Sequence, residues 1–277
     1  MKKTTLFNLS LLLLSLLTVP VSAQKTTNYT QSTIVLQLEK NNIRVDNLIF
    51  SDALGPENQL QHSASFEFSL ADDAATQNIL RILQVYTKEK SMRQMNFVTT
   101  NYAGDPLQER FYDNVVVEEI LFNELDAASM APFKATVKIR AGSVKIQKGN
   151  AKPDLVIKTK RRALTANFSI SLGNLPTTRV AKISGLSIKP GEGAYTHLTL
   201  EVLAMDGAAW NQWFLTGAAG QRKEKGNIQL LAPDLKGVMF SFPLYDVEII
   251  SYSVGSGNQQ AISRATIGLR LKGLAVK

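Results

Sequence analysis

"WNQWFLTGAAGQRKEKGNIQLL" spans Trp210 to Leu231 and carries both tryptophans of the chain in its first four residues. Trp210, Trp213 and Phe214 stand at i, i+3 and i+4, the spacing of one apolar stripe along a helix. Gly217 and Gly220 follow where the helix must stop, because glycine takes the positive φ of a C-terminal cap without strain. Arg222, Lys223, Glu224 and Lys225 then read as a charged turn, and Ile228 opens a strand. The stretch does not match a phosphate-binding loop. That motif needs Gly-x4-Gly-Lys-Ser/Thr after a strand and before a helix, and here the glycines come after the helix.

The same order occurs about 131 positions earlier. Ile79, Ile82 and Leu83 repeat the helical triplet, "KEKSMRQ" (Lys88 to Gln94) repeats the basic turn, and Phe97 matches Ile228. Before the helices, "ASFEFSL" (Ala64 to Leu70) and "YTHLTLEV" (Tyr195 to Val202) alternate as half-buried strands do. They lie 132 apart, with Phe66 on Leu198 and Phe68 on Leu200. After the turns, Gly104-Asp105-Pro106 corresponds to Pro233-Asp234 with Gly237. Phe111 then matches Phe242, and "NVVVEEILF" (Asn114 to Phe122) matches "YDVEIISYS" (Tyr245 to Ser253). The closing strands return to an offset of 132, with Val137 on Leu269, Ile139 on Leu271 and Val144 on Val276. The chain therefore reads as two copies of one domain. The copies cover 33–147 and 163–277, with 148–162 as the connection. "IVLQLEK" and "IRVDNLIF" are entry strands of the first, "ANFSISLG" and "VAKISGLSI" of the second, and the connection is not wholly linker, since "DLVIKTK" is a candidate strand at the start of the second copy. The fold class is mainly β (α+β): two tandem β-barrel domains, each flanked by one helix. A barrel also removes exposed sheet edges.

The N-terminus reads as a secretory signal. Lys2 and Lys3 precede an apolar run from Leu11 to Leu17, and "VPVSAQ" supplies small residues for cleavage after Ala23. Residues 1–23 are thus assigned to a signal peptide and 24–32 to a polar linker. The destination is the periplasm, the cell surface or the outside. The run is too short for a comfortable membrane anchor, and no later stretch is apolar enough for a transmembrane segment. With no cysteine, the chain has neither disulfides nor thiol chemistry nor a lipidated cysteine. The formal charge of +8 falls to +6 once Lys2 and Lys3 leave. Both signs are interspersed, which points to no specific nucleic-acid surface.

The second copy resembles the phage tail-tube protein family and its relative, the haemolysin-coregulated tube protein of type VI secretion. The residues that carry this are "PGEGAYTHLTLEV", "AWNQWF", "QRKEKGNIQLL", "GVMFSFPLYDVEIISYSVG" and "TIGLRLKGL", in that order from Pro190 to Leu274. The first copy resembles the family only through the second. It lacks the tryptophans, and its Arg93 sits differently from Arg222. The resemblance implies β-barrels with one flanking helix that form six-membered rings stacking into a tube. Two fused copies imply a trimer with a pseudo-hexameric ring. The signal peptide departs from the family, whose tubes are built in the cytoplasm.

No residue set points to catalysis, a cofactor or a metal. His62 and His197 are not equivalent between the copies, no His/Asp/Glu cluster has metal-ligand spacing, and no Gly-x-Ser-x-Gly elbow occurs. Glu118, Glu119 and Glu248 alternate with apolar residues, which places them on a sheet's outer face or in an interface. "GSGNQ" (Gly255 to Gln259) reads as a plain loop, and "KTKRR" (Lys158 to Arg162) as a solvated basic turn. Trp210, Trp213, Phe214, Ile79, Ile82 and Leu83 are core helix markers. Arg222, Lys223, Lys225, Lys88 and Lys90 are candidate subunit-contact residues. The expectation is a non-enzymatic, exported structural protein whose partner is itself, with other components of a tail-like or envelope assembly. The alternative is a periplasmic or extracellular binding module for a glycan, lipid or protein, which exposed tryptophans would favour. An extracellular hydrolase ranks last, because it needs carboxylates converging in one cleft.

Overall fold

The computed structural model describes residues 32–54, 60–88, 93–154, 161–191, 195–217, 223–255 and 263–277. The protein is mainly β, with two sheets and two α-helices among these residues. The first half contains β1 (Thr33–Leu38), β2 (Asn41–Val45), β3 (Asn47–Leu54), β4 (Leu60–Ser69), α1 (Ala74–Lys88), β5 (Arg93–Thr100), β6 (Pro106–Phe122), β7 (Leu125–Asp126), β8 (Lys134–Ala141) and β9 (Ser143–Lys148). The second contains β10 (Phe168–Leu172), β11 (Val180–Ser184), β12 (Ser187–Ile188), β13 (Thr196–Leu203), a 3₁₀ turn, α2 (Gly207–Gly217), β14 (Glu224–Leu231), β15 (Val238–Val254), β16 (Arg264–Leu271) and β17 (Gly273–Leu274).

Six strands of each sheet share one order, β1-β5-β6-β8-β4-β3 in the first and β10-β14-β15-β16-β13-β11 in the second. The first runs β2-β1-β5-β6-β8-β4-β3 and the second β10-β14-β15-β16-β13-β11-β7. Only Asp46 separates β2 from β3, so the first order nearly closes on itself as a barrel. The second keeps the order without the closing pair. Residues 173–179 lie between β10 and β11, and the two strands do not pair. The registers repeat as well. Phe66 faces Val137 and Leu198 faces Leu269, both 132 positions on.

One detail of the repeat differs from the sequence alignment. Phe97 faces Arg110, and Ile228 faces Phe242. Phe242 is therefore the counterpart of Arg110, and Phe111 that of Pro243. The cause is the turn between these strands, where residues 101–105 are answered by the longer 232–237. The offset returns to 132 there, before the long strand and not after it. Backbone geometry agrees: Asn114 (φ 57°) and Asp246 (φ 49°), 132 apart, both take the left-handed conformation. Asn and Asp tolerate it best among residues with a side chain.

Each helix lays an apolar stripe on its sheet. In α1, Ile79, Leu80, Leu83 and Tyr86 are buried and Arg81 is exposed. Asp73 caps the helix by accepting from the Thr76 N–H (3.1 Å). The strands alternate in the same sense, and the buried residues of both halves form one continuous core.

Candidate functional site

The helix markers are packing residues. Trp210 and Trp213 are 0% and 1% exposed, with ring centroids 6.2 Å apart. The Trp210 Nε1–H donates to the Pro176 carbonyl (3.2 Å), while the Trp213 Nε1–H is buried with no partner. Neither indole is available to stack on a sugar or a base, which counts against a binding module built on them. Ile79 and Leu83 are likewise buried, and Ile82 and Phe214 are half-buried against the core.

Of the turn residues, Lys90 and Arg222 lie outside the described residues, as does the side chain of Lys88. The glycine stop at Gly220 and most of "DLVIKTK" and "GSGNQ" also lie outside them. Lys223 and Lys225 are exposed. Lys223 reaches back to Glu248 at 3.4 Å, and the Lys225 carbonyl accepts from the Gly173 N–H. Lys223 is thus engaged with its own sheet.

The three acids singled out above are each paired across strands. Glu118 meets Arg140 (3.2 Å), Glu119 meets Lys138 (3.0 Å) and Lys189 (3.5 Å), and Glu248 accepts from Arg270 Nε (3.1 Å). The hydrogen bond from Arg270 and then Lys223 hold the Glu248 carboxyl below its usual range against the opposing effect of burial. Arg270 also lies over the Tyr195 ring at 5.1 Å. His62 Nδ1 lies 2.8 Å from Asp52, and His197 is exposed on β13. No group of three His, Cys, Asp or Glu among the described residues could hold a metal ion. No described helix is long and apolar enough to cross a membrane.

A constellation of charged and aromatic groups lies where the halves meet. Sequence reasoning missed it. The ribbon β7 pairs with β11, setting Leu125 opposite Ile183 and Asp126 opposite Lys182. β12 pairs with the far end of β6, setting Ser187 opposite Leu121 and Ile188 opposite Ile120. Phe122, Phe133 and Phe242 cluster across the joint, with the Phe242 ring edge-on to the other two at 5.2 and 6.2 Å. Lys182 meets Glu124 (3.0 Å) and Asp126 (3.7 Å). The hydrogen bond and the charge of Glu124 raise the Lys182 ammonium above its usual range. Gln84 of α1 donates to the Val276 carbonyl (3.2 Å) and accepts from the Val276 N–H (2.8 Å).

The connecting segment is held along its described length. The Asn150 N–H donates to the buried Glu109 (3.0 Å), and Lys152 donates to the Ala103 carbonyl (2.8 Å). Ala163 and Thr165 are buried and hydrogen-bonded to Leu70, Ala131, Phe133 and Asp126. Arg161 and Arg162 of the basic turn keep exposed side chains on a backbone tied to Asp72 and Ala71.

This arrangement docks protein on protein. The first half supplies the acids, the edge of β6 and the ribbon β7, and the second supplies the lysines, the edge of β11 and the ribbon β12. No protein-family model matches the chain, and no curated protein sequence matches it. Among solved structures, a chain in the cryo-EM structure of the anti-feeding prophage baseplate, 6-fold symmetrised, is similar at 15% identity. The likeness covers 43% of this chain and 93% of that one with a TM-score of 0.30, a level that says nothing of this chain's function.

Proposed function

We propose that this protein is a non-enzymatic structural subunit, tail-tube-like, which assembles into a ring to which each chain contributes two copies of one unit. The observation that carries this reading is the joint. Within one chain, a unit of given strand order already docks head-to-tail on a second unit of the same order. A head-to-tail contact between like units leaves complementary faces free at both ends, so it propagates until a rotation closes it. Three chains would supply six units. The resemblance of Pro190 to Leu274 to tail-tube sequences points the same way. The N-terminal residues 1–23 support export, so the assembly is placed outside the inner membrane, with other envelope or tail-like components as further partners.

Light scattering and negative-stain imaging of the purified chain test the reading. The expected result is a discrete oligomer with a roughly hexagonal ring outline. A monomer at every concentration would overturn it.

A further inference from the structure

The joint inside the chain is asymmetric, so each half leaves unused the face that its twin employs. On the first half the employed face is the outer edge of β6 beyond Val115, where Ile120 and Leu121 receive β12. Its counterpart, 132 positions on, is the outer edge of β15 at Tyr252 and Ser253. There β14 has already ended its pairing at Val247, and among the described residues β15 is paired at this end only on the β16 side. On the second half the employed face is β12. Ser184 faces Thr199 as Asn47 faces Glu67. The Thr196 hydroxyl, donating to the Ser187 carbonyl (3.0 Å), keeps β12 in that same line. This register places Ser187 and Ile188 at Phe50 and Ser51 of β3. That strand pairs with β4 alone among the described residues.

We infer that a second copy of this chain docks on β3, through the outer edge of its own β15. The pairing is antiparallel and copies the joint: Ser253 opposite Phe50, Tyr252 opposite Ser51 and Ser251 opposite Asp52. The inference rests on the ring reading and specifies its interface. Both edges carry exposed apolar side chains, Ile250 and Val254 on β15, Ile49 and Leu54 on β3, which the added strand would flank.

Charge does not oppose this pairing. Inside the chain, Glu119 meets Lys189 across the joint at 3.5 Å. The corresponding free positions hold Ser251 and Asp52. In the proposed pair a neutral serine faces Asp52, so no like charges are opposed.

The chain has no cysteine, so Asp52→Cys with Ser251→Cys creates its only thiols. Both side chains are exposed. Residues directly opposed in an antiparallel pair lie about 4.5–5.5 Å apart at Cα, within the roughly 4.4–6.8 Å that a disulfide spans. Mild oxidation of the double variant should give a ladder of linked chains on a non-reducing gel, ending at the number in the ring. Each single variant should give no species beyond a linked pair. Amide exchange in the unsubstituted chain provides a second readout. Exchange at Phe50–Asp52 should be slower in the oligomer than in the diluted monomer. An oligomer that gives no ladder and no such protection would overturn this interface and leave the ring standing. A chain that stays monomeric would overturn both.

Discussion

Glu248 shows how one side chain can report on an outer sheet face. It sits between Arg270 and Lys223, and those donors favour its ionised form. A carboxylate held below its ordinary pKa contributes stability above the ordinary value, about 4.3 for glutamate. That contribution is lost as the pH falls through the lowered one. Glu248→Gln should therefore lower Tm at pH 6–7, and the gap to the unsubstituted protein should close as the pH drops below about 4. Thermal melts across that range check it, and a gap that widens in acid would contradict the assignment. The tryptophans carry a different lesson at this scale. Their spacing, and the aliphatic counterparts Ile79 and Ile82, marked them as core. Their burial follows from the sheet that α2 lies on.

Among the elements, the turn between β11 and β12 has the tightest requirement. Gly185 has φ +86°, and a Cβ there would overlap the carbonyl oxygen of His197 on the neighbouring strand. Gly185→Ala should cost about 3 kcal/mol in urea unfolding, since it adds backbone strain to a clash with main chain. A loss under about 0.5 kcal/mol, the range of ordinary surface changes, would mean that the turn relaxes. The long strands show how far periodicity reaches. β6 and β15 each run 17 residues; alternation marked their later parts, Asn114 to Phe122 and Tyr245 to Ser253, but not that each is continuous with the strand at Phe111 and Phe242. The point where the offset returns to 132 was not legible either. One extra turn residue shifts the pairing without changing the pattern of apolar residues, and only the registers place it.

At the scale of the whole molecule, the shared core predicts one unfolding transition. Phe242 of the second half packs on Phe122 and Phe133 of the first, and β7 and β12 are each paired across the joint. Phe242→Ala should cost about 3–5 kcal/mol. Unfolding should stay a single transition, with tryptophan fluorescence (reporting the second half) and far-UV circular dichroism coincident. Separate transitions would show two independent units. The joint was invisible beforehand for a physical reason. β7 and β12 are two-residue ribbons with no period of their own, and they exist because the other half supplies their partner.

Local spacing is enough to specify most of this protein. Apolar alternation sets the strands, the i, i+3, i+4 triplets set the helices, glycine and Asx residues set the turns, and the recurrence of that order at 131–132 positions sets the repeat. Those are properties of residues near one another in the chain, and they are written there. Tertiary structure alone decides which edges meet: that the first sheet nearly closes while the second stays open, that Glu119 finds Lys189, and that, among the described residues, β3 and the end of β15 beyond Val247 have unpaired outer edges. Strand edges are backbone. Proline apart, they carry the same N–H and C=O groups whatever the residue, so their partners are chosen by the packing of the assembled halves.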